Sequence, residues 1–278
     1  MTRHVLMCEP RSFRIAYEIN PWMRRANAVA GPAALAQWHA LVQVLERLGV
    51  TVERVQDRAD VPDMTFTANA GVVLGRRFVP ANFRFSERQP EAALFTDWFA
   101  AHGYTVETIH EPHYWEGEGD VLPALPADGR VFAGYRFRTE FRALDHLEAL
   151  LGGAEVGGMG HELVRLELAD PRYYHLDTCF CPLGGGRLLW YPPAFTAEAR
   201  ATVERQFDDR IVASEIDAAR FACNAVVVDD TVVLNAGCAS TMEALHARGL
   251  RTVETPTDEF LKAGGSVKCL VLMLDAFV

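Results

Sequence analysis

Apolar residues along the chain fall into two alternating rhythms. One has helical spacing: Leu35, Trp38, Leu41, Val42, Leu45 and Leu48 form a first stripe, and Leu94, Phe95, Trp98 and Phe99 a second. A third stretch opens with Ser240-x-x-Glu243, the pattern of a capping box, and ends Leu245-His246-Ala247-Arg248. Each stripe stops at a glycine placed like a helix C′ residue, and each glycine leads into a β-rich segment. The three segments read alike: Gly49-Val-Thr-Val-Glu-Arg-Val55, Gly103-Tyr-Thr-Val-Glu-Thr-Ile109 and Gly249-Leu-Arg-Thr-Val-Glu-Thr255.

The other rhythm is that of paired apolar arms about a turn. Ala70–Val79 is one such hairpin; Asp120–Tyr135 turns at Ala127-Asp128-Gly129, Thr178–Tyr191 at Gly184-Gly185-Gly186, and Ala225–Leu234 at Asp229-Asp230. Helical spacing also fits Thr139–Leu151 and Thr196–Phe207. Hairpin, helix and strand thus recur with a period of roughly 50 residues, four units being clear. Val5–Glu9 and the apolar run Val267–Val278 can build a fifth unit from the two chain ends. The expected fold is α/β: a closed, five-bladed propeller of repeated units over residues 1–278, forming one domain with a central pocket. Two unrelated α/β domains would not repeat the matched glycine segments. The repeat also pairs two residues. Asn69 lies 20 positions after Gly49 and Cys269 lies 20 after Gly249, so both are expected to point at the axis.

Composition narrows the function classes. Of 278 residues, 50% are hydrophobic and 23% charged, with a net charge of −10. Such a surface repels nucleic acid and anionic membranes, and weakly favours a small cationic substrate. No apolar run is long enough to span a bilayer, and Met1–Pro10 has no apolar signal-peptide core, so a cytoplasmic location is expected. Six cysteines occur without a C-x-x-C pair; Cys179 and Cys181 have no second pair or histidine cluster to complete a zinc site. Neither metal nor organic cofactor is expected.

Four places carry candidate chemistry. Cys269 follows Gly264-Gly265-Ser266-Val267-Lys268; the glycines let backbone approach a ligand, and a neighbouring lysine can lower a thiol pKa. His175-x-Asp177 lies on a predicted strand, where both side chains share a face. Trp115-Glu116-Gly-Glu118-Gly-Asp120 aims carboxylates from a glycine-rich turn. Asp63 stands six residues before Asn69, an even spacing that places both on one strand face.

Read together, Tyr17-Glu-Ile-Asn-Pro-Trp-Met23, Pro62–Gly71, Glu116–Asp120, Arg138-Thr139, His175-x-Asp177 and Gly264–Cys269 resemble the guanidino-group-modifying superfamily, whose pentein fold has five ββαβ units. The resemblance implies that Cys269 is the nucleophile, His175 the general acid/base and Glu116, in preference to Glu118, the carboxylate that orients it. It implies that Asp177 binds guanidinium and Asp63 the α-amino end, while Arg138 and Arg88 (the latter in competition with Arg84) clamp the α-carboxylate. Deiminases and dimethylarginine hydrolases usually have a carboxylate where Asn69 stands, whereas arginine dihydrolases resemble this chain in having asparagine there. The implied activity is therefore an arginine dihydrolase giving ornithine, ammonia and carbon dioxide. Dimethylarginine dimethylaminohydrolase is the alternative, then deiminase or amidinotransferase, and outside the enzymes a binding module that has lost catalysis. A small guanidino compound is the expected partner, and a homodimer is compatible with the reading.

Overall fold

The two rhythms become five three-stranded sheets in the computed structural model, which describes residues 3–109, 112–124, 129–152 and 160–277. In chain order the main elements are β1 (His4–Cys8), α1 (Gly31–Arg47), β2 (Thr51–Val55), β3 (Gly71–Leu74), β4 (Arg77–Pro80), α2 (Gln89–Ala101), β5 (Thr105–Val106), β6 (Val121–Pro123), β7 (Arg130–Tyr135), α3 (Ala143–Leu151) and β8 (Glu162–Glu167). They continue with β9 (Phe180–Gly184), β10 (Arg187–Trp190), α4 (Ala197–Gln206), β11 (Asp209–Val212), α5 (Glu215–Ala219), β12 (Val226–Val228), β13 (Thr231–Asn235), α6 (Ala239–His246), β14 (Arg251–Thr255), α7 (Asp258–Leu261) and β15 (Leu272–Met273).

Every sheet repeats one plan. An antiparallel pair, joined as a hairpin in four of the five, supplies its first two strands, a helix follows, and a third strand returns parallel to the second. The sheets are β3-β4-β5, β6-β7-β8, β9-β10-β11, β12-β13-β14 and β15-β1-β2, so the chain ends share the fifth unit. The glycine-led segments are third strands: Val52, Val106 and Val253 lie in β2, β5 and β14. In the β6–β7 hairpin, turn positions 127 and 128 lie outside the described residues.

Apolar burial holds the units. α1 turns Ala34, Trp38, Leu41, Val42 and Leu45 inward onto β1 and the strands beside it, each large side chain contributing about 1.5–3 kcal/mol. Phe132, Phe180 and Phe207 cluster between the second and third units. The expected capping box at Ser240 does not form. Ser240 lies inside α6, where Asp217 accepts from both its hydroxyl (2.7 Å) and the Thr241 N–H (2.7 Å), so a neighbouring helix supplies the cap.

A short turn precedes the first strand of each unit. Thr67–Ala70, Gly117–Gly119, Leu176–Thr178 and Lys268–Leu270 are single 3-10 turns, and before β12 Asn224 closes the remaining turn by donating its N–H to the Phe221 carbonyl (2.9 Å). These turns pack around the axis and carry Asn69, Asp177 and Cys269, with Glu116 and His175 just before two of them, which corrects two expectations. His175 and Asp177 do not share a strand: His175 is extended and Asp177 lies in the 3-10 turn after it. Asp63 and Asn69 likewise sit on successive turns, Pro62–Thr65 and Thr67–Ala70. Proximity to the axis comes from turn packing and not from strand alternation. Gly119 shows how tight the packing is, since a Cβ there would lie 2.3 Å from Asn69 Nδ2.

Candidate active site

Glu116 stands just before its turn, as His175 does, and the two turns are tied together from beneath. Asp120 accepts from Thr139 Oγ1 (2.7 Å) and from the Leu176 N–H (3.0 Å), while Thr139 Oγ1 accepts from the Glu116 N–H (3.2 Å). This network brings Glu116 Oε2 to 2.8 Å from His175 Nε2. The same oxygen accepts from Arg138 (2.9 Å), whose guanidinium lies 4.7 Å from the Phe85 ring and 4.6 Å from that of Tyr174. Glu118 turns elsewhere, to Lys268 Nζ at 2.9 Å and the Met273 N–H at 3.0 Å; it is Glu116 that meets the histidine. This second pair lines a larger cavity of about 560 Å³.

The charges follow. Burial works to raise the Glu116 carboxyl, but Arg138 and then His175 outweigh it and hold it well below the usual range. His175 is lowered to about 4, by burial first and with help from Arg138 and Arg88, against the upward pull of Glu116. Near neutral pH an ionised Glu116 therefore accepts from the Nε2–H of a neutral imidazole. The lone pair is then on Nδ1, which faces Asn69 Nδ2 at 3.5 Å.

Cys269 is 3% exposed, and its Sγ donates to Asp177 Oδ2 at 3.2 Å. A residue that the sequence reading passed over also holds it: Asn224 Nδ2 lies 3.1 Å from the sulfur, and Asn224 Oδ1 accepts from the Cys269 N–H at 3.1 Å. The signal was present, because Phe221-x-x-Asn224-Ala-x-Val-Val repeats Phe66-x-x-Asn69-Ala-x-Val-Val. The expectation that Lys268 activates the thiol is corrected. Lys268 Nζ is engaged by Glu118 and the Val271 carbonyl, and the thiol is pushed well above its ordinary pKa by burial and then by the Asp177 charge. Alkylation of Cys269 by iodoacetamide in the ligand-free protein should consequently run at least about tenfold slower than that of free cysteine at pH 7.5, read by mass spectrometry. A faster rate would show a thiolate at rest.

Asp63, Asn69, Arg88, Arg138, Tyr174 and Cys269 line one narrow cavity of about 10 Å³, room for a single water. Arg88 is gripped by Glu91 in a two-point pair (2.9 and 2.7 Å), reaches the Asp63 carbonyl at 3.3 Å and donates to Asn69 Oδ1 at 2.8 Å. Arg84 is drawn away: its backbone N–H serves Glu116, and its guanidinium lies near the Arg136 carbonyl. Glu91 pairs with Arg88 and Glu116 with Arg138, whereas among the described residues Asp63 and Asp177 are buried without an ion-pair partner. Asp63 Oδ1 and Asp177 Oδ1 are buried without a hydrogen-bond partner among the described residues. Burial raises both carboxyls, Asp177 to about 6. Gly265 closes the cavity wall because a Cβ there would meet the Phe66 ring at 2.4 Å; the close approach expected of this glycine is to a side chain. Among the described residues, no group of three or more His, Cys, Asp or Glu is placed to hold a metal ion, and no helix is long and apolar enough to cross a membrane.

Known proteins share this arrangement of chain. The chain is 42% identical over 272 residues to the bifunctional arginine dihydrolase/ornithine cyclodeaminase ArgZ of Synechocystis sp., covering 96% of this chain but 37% of that protein. It is 40% identical over 271 residues to the N(G),N(G)-dimethylarginine dimethylaminohydrolase of Mycobacterium tuberculosis, covering 98% and 85% of the two chains. A crystal structure of the N-terminal domain of an ArgZ variant, covalently bound to a reaction intermediate, superposes with a TM-score of 0.90 at 39% identity, covering 98% of this chain and 97% of that one. The family model described as "N,N dimethylarginine dimethylhydrolase, eukaryotic" matches residues 13–275, and with relatives this similar the chain belongs to that family, whose fold is the five-bladed pentein propeller.

Proposed function

We propose that this protein is a cysteine-dependent hydrolase of the arginine guanidinium group, acting as an arginine dihydrolase. One observation carries the reading: Asp63, which shares a cavity with the buried Cys269, and Asp177, which touches its sulfur, each hold a buried oxygen that no group among the described residues satisfies. Arginine carries a cation at each end. Its guanidinium suits Asp177 and its α-ammonium suits Asp63, while Arg138 and the remaining N–H of Arg88 suit its α-carboxylate.

Guanidinium bound at Asp177 neutralises the charge that keeps Cys269 protonated. The thiol proton passes to Nδ1 of His175 and the sulfur attacks the central guanidinium carbon. His175 returns that proton to the departing nitrogen, so ammonia leaves and an amidino-thioether remains on Cys269. Water, deprotonated by His175, then displaces the sulfur and gives the ureido compound. A second round on that compound releases a second ammonia with carbon dioxide and leaves ornithine, so two waters are consumed per arginine. The protein's own side chains supply each step, without a metal or organic cofactor, and the reading places the enzyme in the cytoplasm.

Asn69 supports two rounds. Arg88 occupies its Oδ1, so the face toward His175 presents an N–H donor, which suits a neutral ureido carbonyl better than a guanidinium N–H. Asn69→Asp should fold, since Arg88 would offset the new charge, and should stop at citrulline. Chromatography of the products from arginine tests this. Ornithine from the wild type and citrulline from the variant are expected, whereas citrulline from the wild type would make it a deiminase. The Mycobacterium relative favours a second reading, in which N(G),N(G)-dimethylarginine is cleaved to citrulline and dimethylamine; the same assay with that compound decides it.

The acid limb follows from Asp177. Its carboxyl is ionised only above about pH 6, so kcat/KM for arginine should fall as pH drops through that value. Asp177→Asn should abolish the limb together with most of the activity, and a wild-type profile flat down to pH 5 would refute the assignment.

A further inference from the structure

Asn224 is fully buried, and its side chain makes three contacts around one residue pair. Nδ2 lies 3.1 Å from Cys269 Sγ and 3.1 Å from the Asp177 carbonyl, while Oδ1 accepts from the Cys269 N–H at 3.1 Å. These partners fix the orientation of the amide. A flipped amide would set oxygen against the Asp177 carbonyl and N–H against the Cys269 N–H, so the donor must face the sulfur.

We infer that Asn224 is a catalytic residue whose amide N–H stabilises the Cys269 sulfur as an anion, both during attack and when the sulfur leaves the amidino-thioether. The inference rests on the reading of Cys269 as nucleophile. A donor to a neutral thiol gains little, whereas a donor to a thiolate is charge-assisted and about twice as strong. The gain therefore appears where sulfur carries negative charge, which is what raises kcat in preference to lowering KM. Lys268, the nearest cation in sequence, is engaged by Glu118 and cannot supply it. Asp177 faces the sulfur as an acceptor only.

Asn224→Asp keeps the shape and the acceptor for the Cys269 N–H but turns an acceptor toward the sulfur; Asn224→Leu keeps the shape alone. In both, kcat on arginine should fall by about 10²–10³-fold with KM nearly unchanged. The pH profile of Cys269 alkylation, measured without substrate, should move up by at least about one unit, more in the aspartate variant. Asn224→Ser, the smallest polar change, serves in the same assays should the larger changes fail to fold. An unshifted alkylation profile, or a rise in KM at wild-type kcat, would overturn the role. Inactive Cys269→Ala beside fully active Asn224→Asp would refute Asn224 alone, whereas active Cys269→Ala would remove the nucleophile on which the inference rests.

Discussion

Cys269→Ala is expected to lower kcat on arginine by roughly 10⁵-fold or more, and His175→Ala by about 10²–10⁴-fold. The guanidinium carbon is shielded by resonance from attack by water, and the reaction proceeds only through a stronger nucleophile. Cys269 is the one cysteine whose sulfur touches both Asp177 and Asn224 among the described residues. Cys179 directs its thiol at the Leu176 carbonyl, and Cys181 at that of Ala225. Neither can take over. Cys269→Ser should be nearly as inactive, because a buried hydroxyl ionises far less readily than a thiol. Arginine binding by calorimetry should survive in all three variants, since Asp63, Asp177 and Arg138 remain. Loss of turnover with retained binding separates chemistry from misfolding. Wild-type kcat in Cys269→Ala would end the proposal.

How much of this the sequence disclosed depended on whether a residue's role comes from repeats or from contacts. The third strands were legible because Gly49, Gly103 and Gly249 each end a helix before the same β-rich phrase. The fifth unit was legible because both chain ends are apolar and unpaired until they meet as β15 and β1. Local conformation around the axis was not. Asp63 and Asn69, like His175 and Asp177, sit at even spacings that imitate strand alternation, yet Asp63, Asn69 and Asp177 lie in 3-10 turns and His175 stands extended just before one. Electrostatics were less legible still. Lys268 is adjacent to Cys269 in sequence, but its ammonium is drawn to Glu118, 150 positions away, and the thiol is left to burial and Asp177. Adjacency along the chain says little about charge when side chains on a turn diverge. Asn224 was missed for the opposite reason: its repeat signal was plain, but an asparagine between a cysteine and an alanine carries no chemical signature of its own.

Glu116→Ala should damage both stability and rate, and the two losses should respond differently to a second substitution. Glu116 takes hydrogen bonds from His175 and Arg138 in the same buried place. Its removal leaves the Arg138 guanidinium, 3% exposed, without its counter-ion, and an unpaired buried charge costs about 3–5 kcal/mol. The melting temperature should drop by roughly 10 °C for a chain of this size. The rate falls for another reason. Without an acceptor at Nε2, the imidazole loses both its orientation and the tautomer that keeps the Nδ1 lone pair toward the pocket, so kcat should fall by about 10²–10⁴-fold. Glu116→Gln separates the two effects, because its amide oxygen still accepts from Nε2–H while the charge for Arg138 is gone. It should therefore retain more activity than Glu116→Ala. Adding Arg138→Met to Glu116→Ala removes the orphaned charge and should recover much of the lost melting temperature but none of the lost kcat. If kcat recovered together with the melting temperature, Glu116 would be serving only as the arginine's counter-ion, and the histidine would need another partner.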